Sequence, residues 1–107
     1  MKLYIDTRKS EGIVVGLDPL DGSGQAIYET KARKDMSQKL LPFIDELLKK
    51  RSVTIRDISE IEVETGPGSF TGLRVGISVA NVLGWALGAK VNGRNVSKEG
   101  PVEPRYT

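Results

Sequence analysis

A glycine-rich segment that joins an alternating stretch to a long apolar stretch constrains this fold more than any other part of the sequence. It reads, in order, Gly66, Pro67, Gly68, Ser69, Phe70, Thr71, Gly72, Leu73 and Arg74. Glycine and proline fix unusual backbone angles, and Ser69 or Thr71 can cap a helix by accepting a hydrogen bond from a free amide. Its spacing matches neither the lysine-bearing phosphate loop nor the dinucleotide-binding loop. The pattern predicts a strand, a tight loop and a helix start, which either contacts an anion or brings helix and sheet together.

The composition permits one small domain and removes several kinds of chemistry. The 107 residues are 38% hydrophobic, which suffices for one modest core without disulfides or metals. Histidine and cysteine are both absent, so the chain lacks the commonest general base, a thiol nucleophile and the usual zinc ligands. The net charge is +2, and the short basic run at residues 49–51 suits a helix end without any nucleic acid.

The hydrophobic pattern predicts neither a secretion signal nor a membrane span. Lys2 and Asp6 place charges in the first apolar stretch, which lacks a small-residue cleavage pattern. The longest apolar tract, residues 75–89, contains Asn81 and is shorter than the roughly 20 residues that cross a bilayer. We expect a cytoplasmic protein with a buried helix over this tract and no membrane partner.

Periodicity along the chain predicts an α/β domain. Alternation indicates strands at residues 2–6, 12–17 and 25–31, joined by turns into an antiparallel meander. A helix is expected from Met36 to Lys50. The later elements are a helical turn at residues 54–58, a strand at residues 60–64, a helix from Phe70 to about Leu87, a short strand around Val91 and a loop at residues 98–101.

Both predicted helices have surfaces suited to close packing. The first has more apolar residues than one stripe needs, because Leu41 and Phe43 flank the main stripe. The second has a small residue at every fourth position: Gly72, Gly76, Ala80, Gly84 and Gly88. Since each glycine weakens a helix by up to about 1 kcal/mol, such a row predicts close approach by the sheet or by a neighbouring helix.

Three motifs resemble the TsaB (YeaZ) family. Residues 5–7 are similar to the Ile-Asp-Thr-Ser that opens these chains, and residues 40–48 are similar to the family helix Leu-Leu-Pro-x-Ile-x-x-Leu-Leu. The glycine loop matches residue for residue, and the three motifs occur in the family's order. The resemblance implies an α/β fold: a single ribonuclease-H-like domain of the actin-like ATPase superfamily, with a mixed five-stranded sheet and the order β-β-β-α-β-α-β.

The sequence departs from the family at three places. Met36 stands where members usually carry histidine, Arg8 stands where they carry serine, and the family's second domain of similar fold is missing. We expect residues 1–92 to form the N-terminal-type TsaB domain and residues 93–107 to form a polar C-terminal tail. Because the tail resembles the proline-x-tyrosine ending of full-length members, we expect a naturally shortened form.

The resemblance implies a non-catalytic scaffold or activator subunit in tRNA threonylcarbamoyladenosine modification. TsaB pairs with the related subunit TsaD, which transfers the threonylcarbamoyl group to tRNA, and the ATPase TsaE joins them. In the family this pairing uses two helices, so the expected partner-binding residues are Met36, Leu40, Phe43, Leu47, Gly72, Gly76, Ala80, Leu83 and Leu87. We expect a homodimer when the chain is isolated, indirect contact with tRNA, and no cofactor, metal or catalytic residue of its own.

The main enzyme alternative is a ribonuclease-H-like nuclease, in which Asp6 and other carboxylates hold a divalent ion. Glu60, Glu62 and Glu64 share one strand face, but alternation makes this the solvated face, and the last helix supplies no acid. A stand-alone ATPase is disfavoured, because actin-like folds bind ATP between two domains. We expect Asp6 to order the turn at residues 7–11 by bonding nearby amides.

Overall fold

The structure is a computed structural model that describes residues 1–9, 12–18, 27–31 and 36–105. Its strands are β1 (Lys2–Asp6), β2 (Ile13–Asp18), β3 (Ile27–Lys31), β4 (Glu60–Val63) and β5 (Lys90–Val91). Its helices are α1 (Met36–Lys50), α2 (Phe70–Leu87) and α3 (Val96–Glu99), with a 3-10 helix at Ile55–Asp57. Residues 10–11 of the predicted turn at residues 7–11, and residues 19–24 of the predicted turn at residues 18–24, lie outside the described residues.

All five strands form one sheet in the spatial order β3-β2-β1-β4-β5. The first three strands pair antiparallel, which confirms the predicted meander. By contrast, β4 runs parallel to both β1 and β5. Ile5 lies opposite Val63 in this register, and therefore the carboxyl ends of β1 and β4 meet at one edge of the sheet. The loop before α2 begins at this edge.

Alternation along the strands sorts the sheet into an apolar face and a polar face. The apolar face is covered by the helices, and its buried residues are Leu3, Ile5, Ile13, Val15, Leu17, Ile61, Val63 and Val91. Glu60 and Glu62 point away from this core and are exposed, as the alternation predicts. Lys2 lies on the same polar face and pairs with Glu62 at 3.3 Å. The core thus occupies one side of the sheet only.

The helix α1 runs without a break through Pro42. Its buried side chains repeat at helical spacing and are Leu40, Phe43, Ile44, Leu47 and Leu48. After it, the predicted turn at residues 54–58 forms as a 3-10 helix, in which the Asp57 carboxylate accepts bonds from the amide and hydroxyl of Thr54 at 3.0 and 3.1 Å. These bonds hold the pKa of Asp57 below its ordinary value.

The helix α3 corrects the prediction of a loop at residues 98–101. The Asn95 amide donates to the Glu99 carboxylate at 2.8 Å, and the amides of Lys98 and Glu99 donate to the Asn95 carbonyl at 3.1 and 2.8 Å. One helical turn is therefore closed by contacts among polar residues. Apolar periodicity does not register such a turn, because its stabilising bonds involve the backbone and one carboxylate.

Candidate functional site

The glycine-rich segment, here called the motif loop (residues 66–74), follows β4 and includes the first residues of α2. Gly66 has a φ of +116°, which L side chains rarely adopt. A Cβ atom at this position would also clash with the Arg105 carbonyl oxygen. Both the backbone angle and the close approach of residue 105 therefore require glycine at position 66.

The start of α2 is capped by Ser69, and not by the other predicted candidate, Thr71. The Ser69 hydroxyl accepts a hydrogen bond from the Gly72 amide at 3.2 Å. The Ser69 amide donates to the Arg8 carbonyl at 2.7 Å, and a Cβ at Gly68 would lie only 2.8 Å from that same carbonyl oxygen. The motif loop thus packs directly on the residues that follow β1. This geometry favours the structural interpretation of the loop over the anion-binding one.

The row of small residues packs against the chain's own sheet from Gly72 to Gly84, whereas a Cβ at Gly88 would meet open space, so the prediction of close approach is wrong for Gly88. A Cβ at Gly76 would clash with the Thr7 hydroxyl, and one at Gly84 would clash with the Val91 side chain. Thr7 is completely buried, and its hydroxyl donates to the Gly72 carbonyl at 2.6 Å. The predicted close approach is real, and the element that approaches is the sheet.

This packing corrects most of the predicted partner-binding set. Side chains that lie in the core, at most 2% exposed, are not available to another protein; they are Leu40, Phe43, Leu47 and Ala80. Gly72 and Gly76 are likewise buried under the sheet edge. Leu83 and Leu87 are half-buried and remain accessible. The side chain of Met36 lies outside the described residues.

A different set of apolar residues is open to solvent on the far side of the two helices. Leu41 of α1 is 53% exposed, and Val82 and Trp85 of α2 are 65% and 69% exposed. Leu41 and Val82 line a groove of about 200 Å³ together with Ser78, Val79 and Leu83; Trp85 lies beyond its lining. We call this surface the apolar helix face. Sequence reasoning noticed Leu41 as surplus to the core stripe but did not identify Val82 or Trp85.

The two-sided apolar character of α2 explains its hydropathy. The helix has 18 residues with a mean hydropathy of 1.3, which is long and apolar enough for a membrane span by length and composition, and about 33% of it is buried. However, Leu73 and Ile77 pack into the core of this domain. Val75, Val79, Leu83 and Leu87 are partly buried against the core, whereas Val82 and Trp85 are exposed. The helix α2 is therefore a core helix with a second, exposed apolar surface.

The carboxyl ends of β1 and β4 bring two acids together, and Arg8 binds both. The Asp6 carboxylate accepts hydrogen bonds from the Arg8 amide at 3.0 Å and from two guanidinium nitrogens at 3.0 and 2.9 Å. The third guanidinium nitrogen lies 3.2 Å from Glu64. The bond to the amide confirms the predicted role of Asp6 in the turn. Burial acts to raise the pKa of Asp6, but the hydrogen bonds from Arg8 hold it below 3.8.

The described part of the polar face lacks a cluster of three acids that could hold a divalent cation. Within residues 1–9, 12–18, 27–31 and 36–105, no three acidic side chains are grouped as metal ligands. The two acids that do converge, Asp6 and Glu64, share the Arg8 guanidinium. The arginine that departs from the family pattern therefore occupies the place where the nuclease alternative needs a cation.

Comparison with known proteins identifies the family. Residues 25–95 match the family model described as TsaD: tRNA N6-adenosine threonylcarbamoyltransferase. This chain belongs to that family. It is 39% identical over 62 residues to the tRNA threonylcarbamoyladenosine biosynthesis protein TsaB of Bacillus subtilis, a match that covers 58% of this chain and 27% of the relative. It is also 39% identical over 59 residues to the tRNA N6-adenosine threonylcarbamoyltransferase of Persephonella marina, covering 55% of this chain and 17% of that protein.

A solved structure agrees with the sequence matches. YeaZ from Pseudomonas aeruginosa superposes with a TM-score of 0.75 at 32% identity, covering 84% of this chain and 42% of YeaZ. The resemblance to the TsaB (YeaZ) family is confirmed, and the fold is the actin-like α/β fold of the TsaD and YeaZ proteins. The chain spans less than half of the length of each of these relatives.

Proposed function

We propose that this chain is a non-catalytic subunit in tRNA threonylcarbamoyladenosine biosynthesis and that it pairs with a TsaD-like catalytic subunit. The names of its TsaB relatives support the pathway, and the matched family model supports kinship with the transferase. A TsaE-like ATPase joins the pair, and tRNA is reached through the catalytic subunit. In this proposal residues 1–92 form the ribonuclease-H-like unit in the cytoplasm, and residues 93–107 form its polar tail.

The apolar helix face is the observation that carries the proposal. Leu41, Val82 and Trp85 are each more than half exposed, although a small soluble domain gains by covering such side chains. Burial contributes roughly 25 cal/mol per Å² of apolar surface, and contiguous exposed patches typically mark sites of protein association. The groove between α1 and α2 gives a partner helix a place to lie.

The partner that fits this face best is a domain of the same fold. A related subunit presents its own two helices, and two such pairs pack as four helices with side chains interdigitating. In the absence of that partner, a second copy of this chain offers an equivalent face. The isolated chain accordingly forms a homodimer in this proposal.

The polar edge of the sheet supports an accessory role over a catalytic one. Asp6 accepts three hydrogen bonds from Arg8, and Lys2 pairs with Glu62. The sequence also contains no histidine or cysteine. A general base or nucleophile in this chain would have to be a side chain whose surroundings do little to raise its reactivity. The catalytic subunit of the pair, by contrast, has its own active site.

A binding experiment with the full chain tests the proposal. The TsaD-like subunit of the same organism is titrated with wild type, with Val82→Asp, and with Glu60→Lys as a control. Val82→Asp places a charge on the apolar helix face, so affinity should fall at least tenfold, while Glu60→Lys changes charge on the opposite polar face and should leave affinity unchanged. Equal affinity of all three proteins would exclude this face. Absence of binding by wild type together with metal-dependent RNA cleavage would favour the nuclease alternative.

A further inference from the structure

The segment after α3 lies extended along α2 and ends against the motif loop. Val102 and Pro104 are half-buried, whereas Pro101, Glu103 and Arg105 are exposed. This alternation is that of an extended chain with one side turned inward. Val102 packs against the hydrophobic core cluster, so the inward side contributes apolar contact.

Asn81 of α2 holds this segment by its backbone. Its carboxamide donates to the Val102 carbonyl at 2.9 Å and accepts the Val102 amide at 2.9 Å. The side chain therefore imitates the pair of bonds that a neighbouring β-strand would supply. Asn92 makes the same double contact with Val63, at 2.8 and 3.0 Å, where it seats the last residue of β4.

Two further anchors also address the backbone of the segment. At its start, the Arg94 guanidinium donates to the carbonyls of Glu99 and Gly100, the latter at 2.8 Å. At its end, the Arg105 amide donates to the Thr65 carbonyl at 2.6 Å. All three anchors bond to main-chain atoms, which every residue has. Selectivity for the sequence of the bound segment therefore depends on the two inward side chains, Val102 and Pro104. That is the logic by which proteins bind extended peptides through an added strand.

The far anchor couples the segment to the motif loop. The Arg105 carbonyl approaches Gly66 so closely that no Cβ atom fits between them. Gly66 also carries the positive φ that sets the direction of the loop. A segment held by Asn81 is therefore in close contact with Gly66, the loop residue whose conformation is most restricted.

We propose that the flank of α2 at Ile77, Ser78 and Asn81 is a binding groove for an extended peptide with apolar residues at alternate positions. The chain fills this groove with its own residues 101–105, which act as a strap that holds the motif loop in place. This inference stands apart from the proposed function, because it requires no TsaD-like partner. The kind of ligand is set by the inward side chains: a short extended segment with apolar residues at the positions of Val102 and Pro104.

Amide hydrogen exchange in the full chain tests the strap. We compare wild type with Asn81→Ala and with Asn95→Ala, which removes another half-buried asparagine that makes no bond to residues 101–105. Loss of the clamp should speed exchange of the Arg105 amide about tenfold and shift the resonances of Gly66 and Gly68, because release at one end frees the other. Asn95→Ala should change neither. Unchanged protection of Arg105 in Asn81→Ala would overturn the strap.

A peptide experiment tests the groove and does not depend on the stability of the Asn81 variant. Val102→Asp combined with Pro104→Asp places two charges on the inward side of the strap and leaves the groove intact. A fluorescent peptide of residues 100–107 should bind this double variant at least tenfold more tightly than wild type, in which the groove is occupied. Equal affinity for both proteins, or no binding to the double variant, would overturn the groove. If the single variant Val102→Asp kept slow amide exchange at residue 102, this inward position would not need an apolar side chain. That result would refute the alternating apolar pattern.

Discussion

The two sides of α2 invert the usual design of a surface helix. The side that meets the sheet is built from small residues, with Gly72, Gly76 and Ala80 against Thr7 and its neighbours. The opposite side, where polar residues normally lie, carries Val82 and Trp85 in contact with solvent. The small side lets the helix approach the sheet closely, and the large side remains available for another protein. Apolar character therefore has two different purposes on one helix.

The small side gives the largest expected effect. Gly76→Leu should destabilise the fold by about 3 kcal/mol or more, because the new side chain meets the buried Thr7 hydroxyl and α2 cannot withdraw without uncovering the core. Ala86→Leu, on the exposed side of the same helix, is the matched control and should change stability by less than about 0.5 kcal/mol. Urea denaturation of both variants measures this difference. Comparable losses would mean that the two sides are not distinct.

The large side should govern association with little effect on folding. Wild type at micromolar concentration should scatter light as a dimer, and Trp85→Ser should shift it toward monomer while its unfolding free energy changes by less than about 0.5 kcal/mol. Trp85 is 69% exposed, so its removal leaves no cavity in the core. Light scattering alongside a thermal melt makes the comparison. A monomeric wild type would contradict the homodimer, and a large drop in melting temperature would place Trp85 in the fold.

These expectations reverse part of what the sequence alone indicates, for a reason that is physical. A row of small residues predicts that another element packs closely against α2. It does not identify that element, since α2 is apolar on both sides. The sequence predicts both Leu41 and Phe43 as surplus to the α1 stripe, which is confirmed for the exposed Leu41 and wrong for Phe43, which is buried in the core. The choice of Ser69 over Thr71 as the cap depends on the Arg8 carbonyl, which lies far away in sequence. Local alternation predicted the strands well. It could not predict contacts between segments that are distant in the sequence.

Arg8 illustrates the same limit at the polar edge of the sheet. Sequence reasoning identified it only as a departure from the family pattern. Its bonds to Asp6 and Glu64 arise because β1 and β4 run parallel and end together. The alternation that places Glu64 on the same face as Glu60 and Glu62 could be read from the sequence, but the pairing of β1 with β4, which brings Asp6 close to Glu64, could not. This departure from the family pattern thus forms a structural bridge between Asp6 and Glu64.

The bridge predicts a specific dependence of stability on pH. Because the pKa of Asp6 in the folded protein is held below its ordinary value of 3.8, Asp6 stabilises the fold above about pH 4, and this contribution is lost as the pH falls through the lowered pKa. Asp6→Asn should therefore be less stable than wild type at neutral pH by about 1 kcal/mol. The gap should close as the pH falls toward 2. Urea titrations at several pH values measure it, and a gap that persists at the lowest pH would assign the effect to shape and not to charge.

The smallest expected effect is on catalysis. Asp6→Ala should leave turnover unchanged when tRNA modification is reconstituted with the TsaD-like and TsaE-like subunits, because both Asp6 oxygens are engaged by Arg8 within this chain. Loss of the bridge should appear only as a lower melting temperature, with complex assembly intact. A magnesium titration of both proteins serves as the control, since a catalytic carboxylate would bind the cation. Two results would contradict the accessory interpretation and assign catalysis to this edge of the sheet. One is that Asp6→Ala loses turnover while complex assembly and melting temperature stay unchanged. The other is that wild type binds magnesium tightly and Asp6→Ala abolishes this binding.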